Sequence, residues 1–188
     1  MQKAYYNSDK VNLLHVGTLE ERKNILNALK AASSLNINYS WHFIGHCYSS
    51  DYLDKIHELI TQYHLKEKVF FHGRVDIDLL SKFYSDSMIF VLVSRLEGYG
   101  MVYAEAMHYG LPIVGSIMGA VPELVQNGEN GFLCDPENPH QIAEAIIKLT
   151  DKDTWQRIHH NNLLKASSLM DRESFIQHGK TLFEKILL

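Results

Sequence analysis

Met88-Ile-Phe-Val-Leu-Val93-Ser-Arg-Leu-Glu97-Gly-Tyr-Gly100-Met-Val-Tyr-Ala-Glu105-Ala-Met-His-Tyr-Gly110-Leu-Pro-Ile-Val114 is the stretch that decides the fold. Met88–Val93 is an unbroken apolar run, as expected of a parallel strand covered on both faces. Gly98 and Gly100 permit a tight turn with little side-chain obstruction. A helix follows through about Tyr109, Gly110 caps it, and Leu111–Gly115 reads as the next strand. Strand, loop, helix and strand in this order form the unit of a doubly wound α/β sheet.

The same unit recurs on the N-terminal side. Val11–Val16 is a strand ending at Gly17, and a helical pattern follows from about Arg22 to Leu35. Tyr39–Gly45 is the second strand, with a helix over about Asp51–His64. Lys68–His72 is the third strand, closed by Gly73, and Asp76–Asp86 is helical. On the C-terminal side, Pro122–Val125 is a helical turn and Gly131–Cys134 a short strand. Residues 138–149, 151–168 and 172–188 read as three closing helices, the first entered by Asn138 as cap and Pro139 at the first helical position. The last carries Phe175, Leu182, Phe183, Ile186 and Leu187, an apolar stripe suited to packing against another body. The expected fold is therefore α/β, a doubly wound parallel sheet with C-terminal helices.

Composition narrows the class. The chain has 188 residues, 46% apolar and 21% charged, which excludes a disordered tail or a fibrous repeat. Its net charge of −4 disfavours a sequence-independent nucleic-acid binder, which needs a basic face. Cys47 and Cys134 stand apart with no CxxC partner, so they read as free thiols in a reducing compartment. No apolar run approaches a membrane span, and Met1–Asp9 is too polar for a signal peptide. The chain reads as cytoplasmic.

Ligands of doubly wound sheets bind beyond the carboxyl ends of the strands. The loops Gly17–Lys23, Gly45–Ser50, Gly73–Asp76, Ser94–Gly100 and Ser116–Val121 therefore carry the chemistry. The first contains no GxGxxG, and the chain has no GxxxxGK[ST] and no GxSxG. That disfavours a dinucleotide site, a P-loop and a hydrolase elbow. His42 and His46 lack the further ligands that zinc needs. Asp76 and Asp78 form a DxD, but they open a helix, where an aspartate caps free N–H groups.

The turn at Gly98–Gly100 differs from these. A helix begins there, so its free N–H groups form an anion site suited to phosphate. Glu97 and Glu105 flank it. Carboxylates beside a phosphate are suited to accepting hydrogen bonds from hydroxyls. A diphosphate between hydroxyl-rich groups is a nucleotide sugar. On spacing alone, a glycine turn with two solvated glutamates explains the stretch equally well.

The residues also resemble a known family. Glu97 and Glu105 match the E-x7-E of the retaining GT-B glycosyltransferases of family 4, or group 1. Glu97-Gly-Tyr-Gly, Glu105-Ala-Met-His-Tyr-Gly-Leu-Pro-Ile-Val, Gly119-Ala-Val-Pro-Glu123 and Gly128-Glu-Asn-Gly-Phe-Leu-Cys-Asp-Pro136 resemble that family's successive motifs. Val16-Gly-Thr-Leu-Glu-Glu-Arg-Lys-Asn24 is similar to its first loop, and Val69-Phe-Phe-His-Gly-Arg-Val75 to its third strand and turn. The resemblance covers nearly the whole chain in order.

It implies that residues 1–188 are the C-terminal, donor-binding, Rossmann-like half of a GT-B enzyme, with the N-terminal acceptor domain elsewhere. The reaction it implies is glycosyl transfer, with retention, from a UDP- or GDP-linked sugar to a glycan or lipid-linked acceptor. It further implies a role in cell-surface polysaccharide or lipopolysaccharide synthesis, no cofactor or bound metal, and work in the cytoplasm with peripheral association at the membrane face. Lys23 is expected to meet the diphosphate, and Arg22 is either a second such cation or a surface residue. The family often has Arg where this chain has Thr18. The N–H groups of Gly98, Tyr99, Gly100 and Met101 are expected to meet the sugar and phosphates, although Tyr99 also has a plain packing reading. Glu97 is expected on the sugar hydroxyls, Glu105 on the ribose, and Arg74 and Val75 on the base. Arg95 reads as a surface residue. Two other readings exist: another GT-B enzyme, such as an epimerase or phosphorylase, and a non-catalytic binding module. The isolated domain is expected to be inactive in transfer.

Overall fold

A computed structural model describes residues 10–98 and 100–169. Tyr99 and the expected helix over 172–188 with its apolar stripe lie outside them. Six strands alternate with helices: β1 Val11–Val16, β2 Tyr39–Ile44, β3 Val69–Phe71, β4 Ile89–Leu92, β5 Ile113–Ser116 and β6 Gly131–Cys134. The helices are α1 Ile25–Ser33, α2 Ser50–Gln62, α3 Ile77–Asp86, α4 Met101–His108, α5 Val121–Leu124, α6 Pro139–Lys148 and α7 Lys152–Leu169. All strand pairs are parallel, in the order β3-β2-β1-β4-β5-β6. This is the Rossmann-like arrangement, and the order reverses between β1 and β4, opening a crevice there.

Successive strand residues point to opposite faces, so each strand serves two cores. Leu13, Trp41, Phe43 and Val91 pack with Ile25 and Leu29 of α1, Ile56 of α2 and Ile146 of α6. Leu14, Val16, Phe90 and Leu92 pack with Tyr84 of α3 and with Tyr103 and Met107 of α4 on the other face. This explains why β4 reads as a continuous apolar run: neither of its faces meets water. α7 joins both cores, with Trp155 and Ile158 in the first and Ala166 in the second. Trp155 Nε1 donates to the Met88 carbonyl at 2.9 Å, which ties this helix to the start of β4.

Local signals set the helix starts. Asp76 Oδ1 accepts from Leu79 N at 2.8 Å, and Asn138 Oδ1 from Gln141 N at 3.2 Å. Both therefore act as caps, as their positions imply. β5 begins two residues later than Leu111, because Pro112 has no N–H to give the ladder. The first helix also begins later than Arg22. Residues Glu21–Lys23 form a single 3-10 turn, Asn24 takes a left-handed φ of 62°, and α1 starts at Ile25. That detour turns Lys23 inward.

Candidate functional site

Lys23 and Glu97 lie 74 positions apart, in the loops after β1 and β4, and meet at the reversal of strand order. Lys23 Nζ donates to Glu97 Oε2 at 2.6 Å, and both side chains are nearly enclosed, 9% and 10% exposed. The lysine stem runs beside Gly17, where an added Cβ would sit 3.4 Å from its Cε. Arg22 Nη1 lies 4.0 Å from Glu97 Oε1 and donates to the Leu96 carbonyl at 3.0 Å. Its Nη2 pairs with Glu20 at 2.6 Å, and the side chain is 42% exposed. One carboxylate thus faces two cations at the mouth of the crevice.

Buried polar groups hold these loops in place. Asn24 Nδ2 donates to the carbonyls of Val93 at 3.0 Å and Pro136 at 2.7 Å. The left-handed turn at Asn24 is thereby fixed from two sides. Arg95, expected on the surface, is half-exposed but works as a strut. Its Nε meets Glu137 Oε1 at 2.6 Å and its Nη1 donates to the Glu21 carbonyl at 2.9 Å. The Glu137 hydrogen bond holds that carboxyl below its ordinary range. Gly119, in the loop after β5, approaches Glu97 so closely that a Cβ there would lie 2.6 Å from the Glu97 carbonyl. Its φ of 66° also suits glycine.

His15, on β1, is fully buried beside this network. Burial, and then the charge of Lys23, push its pKa down to about 3, against a smaller opposing effect of a Val91 backbone hydrogen bond. The imidazole is therefore neutral at physiological pH, with Phe43 as its ring neighbour at 5.1 Å.

The expected donor residues do not gather at one point. Gly98 is exposed, Gly100 caps α4 with φ 63°, and Met101 opens the helix at 44% exposure. Free N–H groups at this start are oriented as an anion site requires. Glu105 sits one turn further along and accepts from Tyr84 Oη of α3 at 2.8 Å. Burial, and then Glu105, raise the Tyr84 pKa, so its phenol stays a donor. Arg74 and Val75 line a separate pocket of about 320 Å³ with Thr18, His46 and Tyr48, beyond the ends of β1 and β2. Gly45 makes this pocket's wall, since a Cβ there would collide with the Gly17 carbonyl.

Sequence reading missed Tyr84, Asn24, His15, Glu137 and Tyr48. The contacts of Asn24, Glu137 and Tyr84 join distant loops or helices, and no local pattern marks them. Asn24 carried a signal, as an asparagine tolerant of the left-handed region, and Tyr48 lies in the loop Gly45–Ser50 beyond a strand end. Among the described residues, no group of three or more His, Cys, Asp or Glu could hold a metal ion. Cys47 and Cys134 are free thiols, and burial pushes the Cys134 thiol up to about 12. No helix among the described residues is long and apolar enough to cross a membrane.

Sheet order and the crevice between β1 and β4 define a Rossmann-like domain with its candidate ligand loops at the carboxyl ends of the strands. The family model "Glycosyl transferases group 1" matches residues 1–167, and the chain belongs to that family. An uncharacterised glycosyltransferase of Methanocaldococcus jannaschii is 29% identical over 172 residues, covering 85% of this chain and 44% of that protein. The O-antigen chain mannosyltransferase B of Escherichia coli is 30% identical, over 77% of this chain and 38% of that protein. The chain thus spans less than half the length of either relative. Among solved structures, Anabaena HepE in complex with UDP superposes with TM-score 0.82 at 27% identity, over 94% of this chain and 49% of that one. The C-terminal domain of a group 1 glycosyl transferase from Francisella tularensis matches in fold, with TM-score 0.77 at 23% identity over 84% of both chains.

Proposed function

We propose that this chain is the donor-binding half of a retaining glycosyltransferase. It takes a nucleoside-diphosphate sugar, UDP-linked or GDP-linked, and passes the sugar to a hydroxyl on a glycan or lipid-linked acceptor held by a second domain. The observation that carries this reading is the enclosed Lys23–Glu97 pair at the crevice, next to the exposed start of α4. Charge that develops on the leaving diphosphate needs preset cations and N–H groups in a water-poor site. Lys23, with Arg22 beside it, supplies the first; Gly98 to Met101 supply the second. When a diphosphate draws Lys23 away, the Glu97 carboxylate is released toward the sugar hydroxyls. Glu105, oriented by Tyr84, receives the ribose, and the pocket with Arg74 and Val75 receives the base.

UDP in the HepE complex supports a UDP-linked donor. The O-antigen chain mannosyltransferase of E. coli supports work on cell-surface polysaccharide, and a place at the cytoplasmic face of the membrane follows from the resemblance of the motifs. Retention follows from the resemblance of the motifs.

Thermal unfolding with UDP, GDP, ADP, TDP and CMP tests the reading, on this chain and on the whole enzyme. A ligand of the folded state stabilises by about 2.7 kcal/mol at 100 times its dissociation constant. One diphosphate is expected to raise the midpoint, and Lys23→Ala to abolish the rise. No shift in either protein would overturn the donor site. Nucleotide release with an altered free sugar and no acceptor would replace transferase by epimerase.

A further inference from the structure

The pocket beyond β1 and β2 has a chemistry that the Lys23–Glu97 pair does not explain. Its apolar lining comes from Ile44, Val75 and Leu80, and Arg74 brings hydrogen-bond donors only. Tyr48, which also lines it, is 75% exposed, whereas an aromatic ring of this size usually buries most of its surface. The ring makes a T-shaped contact with His46, with centroids 4.5 Å apart, and that contact leaves most of its surface open to another planar group.

The loop beneath this ring is firmly placed. Leu19 N–H donates to the His46 carbonyl at 2.9 Å, and Gly45 N–H to the Gly73 carbonyl at 2.8 Å. Cys47 Sγ donates to the Ser49 carbonyl at 3.2 Å, and Ser49 Oγ caps α2 by accepting from Tyr52 N. An exposed aromatic ring on a fixed base, at an apolar pocket with donors at its edge, suits a flat group with apolar faces and acceptor-bearing edges. A nucleobase has that shape. Resting on the donor-site reading above, we infer that Tyr48 is the base clamp, its ring covering one face of the donor's base. Such a contact tolerates any base, since each has a π-face. Tyr48 is then a positioning residue for the nucleotide and touches no reacting atom.

Calorimetric titration of this chain with UDP, GDP and inorganic pyrophosphate tests the clamp, in wild type, Tyr48→Phe and Tyr48→Ala. Stacking on one aromatic ring predicts that Tyr48→Ala weakens nucleotide binding roughly ten- to a hundredfold. Tyr48→Phe keeps the ring and is expected to bind within about twofold of wild type, on the same stacking argument. Pyrophosphate has no base, so its affinity should be equal in all three proteins. Unchanged UDP and GDP affinity in Tyr48→Ala overturns the clamp while leaving the donor site standing. Equal losses for UDP and pyrophosphate also overturn it, by showing a collapsed loop. No nucleotide binding by the wild-type chain or by the whole enzyme overturns the donor-site reading itself, and the clamp with it.

Discussion

On one side of the crevice, the loops after β1 and β4 are joined by side chains that reach 74 positions along the chain: Arg22 to Leu96, Lys23 to Glu97, and Arg95 back to Glu21. On the other side, the loops after β2 and β3 meet through a main-chain bond from Gly45 to Gly73. Their capping side chains, Ser49 and Asp76, reach only three positions onward. The first side encloses a charged pair, Lys23 and Glu97; the second leaves His46, Tyr48 and Arg74 exposed around a pocket. The difference fits what we propose each side holds. A charge is useful only at a set position and in low dielectric, so its loop needs many fixed points. An aromatic base is held by flat apolar contact, which needs no enclosed charge.

The comparison is broken most directly at the charged side. Lys23→Ala or Glu97→Ala in the whole enzyme is expected to slow sugar transfer by about 10²–10³-fold in kcat, the scale of losing one charge-stabilising group. Arg74→Ala, on the pocket side, should act mainly on KM, because base contact is made equally in ground and transition states. Steady-state rates of nucleotide release separate the two. A KM-only effect from Lys23→Ala would place the diphosphate elsewhere.

A second difference is in stability. Asn24 is 2% exposed and its amide bonds two carbonyls from separate loops. Asn24→Ala takes the side-chain donor from the Val93 carbonyl, leaves the Pro136 carbonyl only its bond from Asn27, and puts alanine, which rarely adopts the left-handed region, at φ 62°. A loss of about 2–3 kcal/mol is expected, or roughly 5–10 °C in Tm for a chain of this size. Ser49→Ala, an exposed cap on the pocket side, should cost about 1 kcal/mol. Equal losses in denaturant titration would remove the distinction between the two frames.

These two sides were not equally legible in the sequence. The central strands announce themselves most clearly, because β4 is buried on both faces and an apolar run such as Met88–Val93 has no competing explanation. The motif residues Lys23, Glu97 and Glu105 were found through resemblance, and the glycine turn before α4 through helix-terminus physics. Their relation was not legible. The Lys23–Glu97 bond depends on which strands are neighbours, and β1 lies beside β4 only once the sheet is assembled. The shift of α1 from Arg22 to Ile25 has a similar source, since Asn24 leaves the helix to bond Val93 and Pro136, a tertiary contact that overrides helical periodicity. Tyr84 is marked only by its partner on another helix.

Acid should act through the charged side before it acts on carboxylates. His15 has a folded pKa of about 3, below its ordinary value near 6.5, chiefly from burial and then from Lys23. Above pH 6.5 it is neutral in both states and its contribution is complete. Below that, the unfolded chain takes up a proton that the folded chain refuses until about pH 3, so stability falls with pH by up to about 1.4 kcal/mol per unit. His42 and His72, lowered mainly by burial, add in the same direction. His15→Gln should flatten the slope between pH 6.5 and 5 in urea titrations. An unchanged slope would assign the acid effect to the His42–His72 pair at the pocket-side edge.

The smallest effect expected is at Asp76, where the sequence offers two functions for one residue. As the first member of a DxD, it would hold a divalent metal between phosphates. As a helix cap, it needs only an oxygen that accepts from Leu79 N, which it does at 2.8 Å. Asparagine caps about as well as aspartate but is a far poorer ligand for a hard cation. Asp76→Asn should therefore leave both Tm and turnover close to wild type. Asp76→Ala should cost about 1 kcal/mol, or roughly 2–4 °C, through the lost cap. Chelation by EDTA should leave nucleotide release unchanged in all three proteins. Activity that needs manganese and vanishes in Asp76→Asn would make the loop after β3 a charged site like the loop after β4, and the contrast between the two sides would fail there.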